Sequence, residues 1–169
     1  MTLEEEKRHF LSVIGKTLDE WAHVETRLCS IFIACLRAPA DHARASFYAV
    51  ESFGSKLQMV DSVLALTISD HKTLGEWILL HERVKSNSKL RNELVHYDIL
   101  ENRNQKPGVR VTLRPSILDP KAPSLFLKLG LRLGEIKIRH NVFHELGGDL
   151  GISYNDLCQK LSLPRAQSS

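Results

Sequence analysis

The first third of the chain carries its strongest constraint. Ile14, Leu18, Trp21, Glu25, Leu28, Phe32 and Cys35 follow an unbroken 4-3-4-3-4-3 spacing, the signature of one helix face. A helix running from Thr2 to about Leu36 is longer than most in globular proteins and needs partner helices to bury such a stripe. Pro39 ends it, and Asp41 is placed to cap a second helix through Phe47 and Val50. Gly54-Ser55 punctuates that helix, and Leu57, Val60, Leu64 and Ile68 supply a third. A fourth runs from near Thr73 to about Ile99 on the stripe Trp77, Leu80, Val84, Asn87, Arg91 and Leu94.

Periodicity then changes. Asn102 to Gly108 is a polar turn, and Val109 to Arg114 alternates as a strand does. Pro115, Pro120 and Pro123 mark a loop before a second strand, Ser124 to Leu129, which pairs with the first as a hairpin. Helical spacing returns from Gly134 to Leu146 through Ile138, Val142 and Leu146. It weakens at Gly147-Gly148 and Gly151, and a last helix covers Ser153 to Leu163. The expected fold is mainly α: a bundle of four or five helices with a small β excursion, about 109–129, between the fourth and last helices. One domain spans residues 1–164, followed by a tail of 165–169.

Composition fits this reading. Hydrophobic residues make up 43% and charged residues 25% of 169, which excludes disorder. No apolar run reaches the ~20 residues of a membrane span. The acidic start, Glu4-Glu5-Glu6, argues against a secretion signal, and Cys29, Cys35 and Cys158 form no C-x-x-C pair. Buried thiols in the reducing cytoplasm are the expectation. Net charge is +3 overall, yet Arg83 to Arg139 holds 13 Lys/Arg against 5 Asp/Glu, a basic middle suited to an anionic partner.

Two charges interrupt the apolar stripes, Glu25 on the first helix and Arg91 on the fourth. An unpaired buried charge is costly, so the two are expected to meet across packed helices. The alternative is an arginine whose stem packs while its head reaches water.

Arg91 belongs to Leu90-Arg91-Asn92-Glu93-Leu94-Val95-His96-Tyr97, an R-N-x-x-x-H motif at a helix end. The motif closely resembles the signature of the HEPN superfamily, and Trp21, Glu25 and Phe53-Gly54-Ser55-Lys56-Leu57 resemble the family's opening helix and the segment before its third. The resemblance implies a helical bundle, commonly a homodimer, that cleaves RNA without a metal or other cofactor or has become a silent interaction or nucleotide-binding module. It places Arg91 and His96 in catalysis, with Asn92 in support, and often implies a toxin restrained by an antitoxin or other regulatory protein.

The chemistry of these side chains agrees. A histidine exchanges protons near neutrality, so His96 suits general acid or base catalysis. Arg91 forks onto phosphate and offsets transition-state charge. RNA supplies its own nucleophile, the 2′-hydroxyl, leaving a 2′,3′-cyclic phosphate and a 5′-hydroxyl. Residues five apart lie ~140° apart around a helix, so Arg91 and His96 converge only if the helix frays or a second subunit completes the site. Glu25 would orient Arg91, and Tyr97 would stack on a base or pack in the core. Lys85 and Lys89 would attract RNA phosphates or form a solvated face. His140 and His144, four apart beside Glu145, have metal-ligand spacing without an evident third ligand, and surface histidines are the expected reading.

Overall fold

Thr2 and Glu5 start the first helix reciprocally: the Thr2 N–H donates to Glu5 Oε2 at 2.7 Å, and the Glu5 N–H donates to Thr2 Oγ1 at 3.2 Å. This capping box satisfies two N–H groups that the first turn leaves without helical partners. A computed structural model describes residues 1–116 and 130–162. The helices are α1 (Leu3–Leu36), α2 (Ala40–Ala49), α3 (Phe53–Thr67), α4 (His71–His96) and α5 (Leu133–Lys160). An antiparallel hairpin, β1 (Tyr97–Glu101) and β2 (Val111–Pro115), stands between α4 and α5. The fold is therefore mainly α with a small β excursion, as expected.

The details differ from the periodicity reading in ways that have physical causes. The buried positions of α1 are Glu6, Phe10, Ile14, Thr17, Trp21, Val24, Leu28, Cys29, Ile31, Phe32, Ala34 and Cys35, whereas Leu18 and Glu25 are half-buried. The seam keeps the 4-3 rhythm but is set one residue back at Thr17 and Val24, while Ile31 and the expected Phe32 are both buried. Thr17 fits in it because its hydroxyl donates to the Val13 carbonyl at 2.8 Å, so no polar group is left unpaired. Pro39, not Asp41, is the residue before α2, and Asp41 falls in the first turn. Gly54-Ser55 lies inside the first turn of α3, whose cap is the Ser52 side chain accepting from the Ser55 N–H. In α5 the glycines do not break the helix: it continues through Gly147, Gly148 and Gly151 to Lys160. Its buried face is Ile136, Arg139, Phe143, Leu146 and Leu150, and Ile138 is exposed.

The hairpin also contains a strand that spacing did not flag. Tyr97-Asp98-Ile99-Leu100 leaves the helix at His96 and pairs with β2 in the register Tyr97↔Pro115 to Glu101↔Val111. Aromatic and aliphatic residues in alternation suit a pleated strand more than a helix end. The expected strand Ser124–Leu129 and the tail 165–169 lie outside the described residues. Leu131 adds one further bridge to Leu113, with reciprocal N–H···O bonds of 2.9 and 2.8 Å.

The chain divides into two compact units. The first joins Met1–Trp21 with Lys89–Phe143. Its core includes Phe10, Leu94, Val111, Leu113 and Ile136, and Trp21 meets Phe143 edge to face at 5.0 Å. Glu6, 4% exposed, accepts from the Gly108 N–H at 3.0 Å, the Arg110 N–H at 2.8 Å and Arg110 Nε at 2.9 Å. Burial pushes its carboxyl up, but these donors outweigh it and hold the acid below its ordinary value.

The second unit joins Ala22–Ser88 with His144–Ser169. Phe47, Val60, Leu64, Val84, Leu146 and Leu150 are fully buried in it. Trp77 Nε1 donates to Asp61 at 2.9 Å, and Arg83 pairs with Asp149 at 2.7 Å. The three thiols are free and buried, and burial beside Cys158 pushes Cys35 up to about 11. Asp70 caps α4 through the Thr73 N–H at 3.2 Å, and Lys160 reaches the same carboxylate at 2.9 Å. No helix among the described residues is long and apolar enough to cross a membrane.

Candidate functional site

The R-N-x-x-x-H motif occupies the last two turns of α4, inside the first unit. Helical geometry persists to His96, so fraying does not bring Arg91 and His96 onto one face. The ~140° between their Cα positions stands. A side-chain contact moderates it instead. Arg91 is half-buried, and its Nη1 donates to Asn92 Oδ1 at 3.1 Å. Asn92 is exposed and lies four residues before His96, which is exposed too, so they share a face. Lys89 precedes Asn92 by three and is also exposed. The guanidinium is thus drawn toward the solvent-facing stripe Lys89, Asn92 and His96.

This stripe combines an ammonium, an amide, an imidazole and the head of an arginine, all suited to phosphate oxygens. Tyr97 follows as the first residue of β1 and is half-buried. Lys85 lies on the part of α4 that belongs to the second unit, where it is exposed and stands 3.4 Å from Glu82.

Glu25, expected to meet Arg91, belongs to the second unit, whereas Arg91 belongs to the first. Glu25 takes Lys56 of α3, whose side chain is 9% exposed and whose ammonium also lies 5.4 Å and 5.1 Å from the ring centres of Phe47 and Tyr48. Glu25 sits beside the buried seam of α1 rather than on it, and a lysine in the first turn of α3 reaches it there. Two aromatic faces and a carboxylate together offset the burial of this ammonium. The Glu25 carboxylate is thus engaged within the second unit.

Arg139 of α5 plays a part in the first unit that spacing did not flag. It is 9% exposed, donating to the Leu90 carbonyl at 3.0 Å and to Glu93 at 2.5 Å. Both acceptors flank Arg91 and Asn92, so this brace fixes the turn of α4 that carries the motif. The signal was present: Arg139 falls on the 3-4-3-4 series Ile136, Arg139, Phe143, Leu146 and Leu150, as a charge in an apolar stripe. Among the described residues, no group of three or more His, Cys, Asp or Glu is placed to hold a metal.

Scans against protein-family models and searches of curated proteins and of solved structures matched nothing.

Proposed function

We propose that the chain is a metal-independent endoribonuclease of the HEPN type, acting as a cytoplasmic homodimer. The observation that carries this reading is the Arg91–Asn92 hydrogen bond, which turns a permanent cation toward the exposed face that holds His96. In the reaction the 2′-oxygen of RNA forms a bond to phosphorus as the 5′-oxygen leaves. His96 acts on one of the two protons, taking it from the nucleophile or giving it to the leaving group. Arg91 neutralises charge that builds on the phosphoryl oxygens, while Asn92 positions Arg91 and Lys89 draws in the backbone. In a two-fold dimer the second His96 serves the other proton. Such an enzyme fits a toxin or defence role under a restraining partner protein.

The test is RNA cleavage in EDTA by wild type and His96→Ala, with product ends identified. Cyclic-phosphate ends made by the wild type and lost in a folded mutant support the reading. Absence of cleavage by a folded wild-type dimer overturns it.

A second reading, a catalytically silent interaction module, draws on a different observation. Leu79 and Ile152, 71% and 62% exposed, line a groove of about 230 Å³ in the second unit, together with Arg83, Asp149 and Lys160. Apolar side chains rimmed by charge are common at protein interfaces.

A further inference from the structure

The hairpin holds an arginine whose environment is incomplete. Arg114 lies on the outer face of β2, and its Nε is buried with no hydrogen-bond partner among the described residues, Asp98 opposite it in the register included. Neutral buried donors left unpaired are costly, and a guanidinium cannot shed its charge to escape the cost. The side chain is held in this position by close packing. A methyl group on Gly130 would stand 2.5 Å from Cγ of Arg114, 2.9 Å from its Nε and 3.0 Å from the Leu113 carbonyl oxygen. Only glycine lets the arginine lie against the backbone there.

Beside it is a pocket of about 70 Å³ lined by Arg114, Arg132, Asn102, Gln105, Thr112 and Gly130. Two arginines, two amide-bearing residues and a threonine line it together with Val109, and among the described residues no carboxylate does. The volume is far below the ~300–1,000 Å³ of sites for drug-sized ligands. We infer that this pocket is a binding site for a phosphate group, with Arg114 and Arg132 as its cationic anchors. Phosphate suits it better than a carboxylate, because a dianion with four oxygens matches two guanidinium forks and three neutral polar groups. The inference does not rest on the ribonuclease reading, since none of these residues belongs to the motif on α4.

The test follows the arginine Nε–H signals by NMR while the full chain is titrated with inorganic phosphate at constant ionic strength. The expected result is a saturable shift of the Arg114 and Arg132 signals that chloride does not produce. Arg114→Gln and Arg132→Gln should each weaken binding roughly tenfold, the loss of a charge-assisted pair. Arg132 is exposed, so its variant keeps the fold even if Arg114→Gln does not. No saturable shift at millimolar phosphate, or unchanged affinity in folded Arg132→Gln, overturns the site. A 2′-O-methyl oligoribonucleotide without terminal phosphate, which the proposed nuclease cannot cut, separates the sources. If it competes with phosphate, the ligand is a nucleic-acid backbone; if it does not, the ligand is a free or terminal phosphate. Loss of RNA cleavage with retained phosphate binding would overturn the nuclease alone.

Discussion

Lys56 ends on Glu25, with its ammonium between that carboxylate and the rings of Phe47 and Tyr48. Both side chains are mostly withdrawn from water, at 9% and 20% exposure. Removing either one strands the other's charge. Glu25→Gln and Lys56→Met should each lower stability by about 3 kcal/mol, and the double variant by clearly less than their sum. Urea unfolding of the four proteins measures this. Additive losses would show that the two charges do not depend on each other.

Asn92 offers a more discriminating probe of the proposed nuclease than either catalytic residue. Asn92→Ala frees the Arg91 head from the exposed stripe. The expected loss is roughly tenfold in kcat with little change in KM, as for an interaction made mainly in the transition state. Asn92→Asp keeps an oxygen acceptor for Arg91 and should recover part of the rate. Equal kcat in Ala and wild type would remove Asn92 from the mechanism.

Gly148 has open space where a side chain would begin, and it lies in the middle of α5. Replacing it by alanine reduces the freedom of the unfolded chain and adds helix propensity. Gly148→Ala should therefore raise stability by ~0.5–1 kcal/mol. Gly130→Ala should destabilise, because its methyl group meets Arg114 and the Leu113 carbonyl. Thermal melts of the two variants should move in opposite directions.

Asp70 makes folding sensitive to acid. The Thr73 hydroxyl, Lys160 and the Thr73 N–H hold its carboxyl well below the usual carboxylate range. A carboxyl depressed in the folded state stabilises above its unfolded value, near pH 4, and that contribution is lost as pH falls through the folded value. Urea midpoints measured from pH 6 to pH 2 should fall in the wild type and fall less in Asp70→Asn. The variant should also melt a few degrees lower at neutral pH.

The mainly helical class and the limits of α1 were legible because long apolar periodicity leaves few alternatives. What spacing could not supply was the phase of the seam. A stripe at 14, 18, 21 and 25 and one at 14, 17, 21 and 24 differ by a single residue at alternate steps. Thr17 looked polar until its hydroxyl bonded Val13. That shift moves Glu25 from the buried face to its edge, where Lys56 reaches it. Strand β1 was missed because Tyr97–Glu101 follows a strong helix without punctuation. The glycines of α5 were read as breaks, although Gly147 lies in the helix with the Val24 side chain 3.9 Å from where a methyl group would sit. The brace from Arg139 was not legible, because Ile138, Val142 and Leu146 gave a rival stripe.

The carboxylate of Glu6 bonds amides that lie 102 and 104 positions away in sequence. Closing a segment of that length costs chain entropy before any local contact repays it. The loop between β1 and β2 therefore has its backbone secured by the opening turn of α1. Amide protons of Gly108 and Arg110, in a stretch that would otherwise exchange freely with solvent, become reporters of whether the two ends of that circuit are joined.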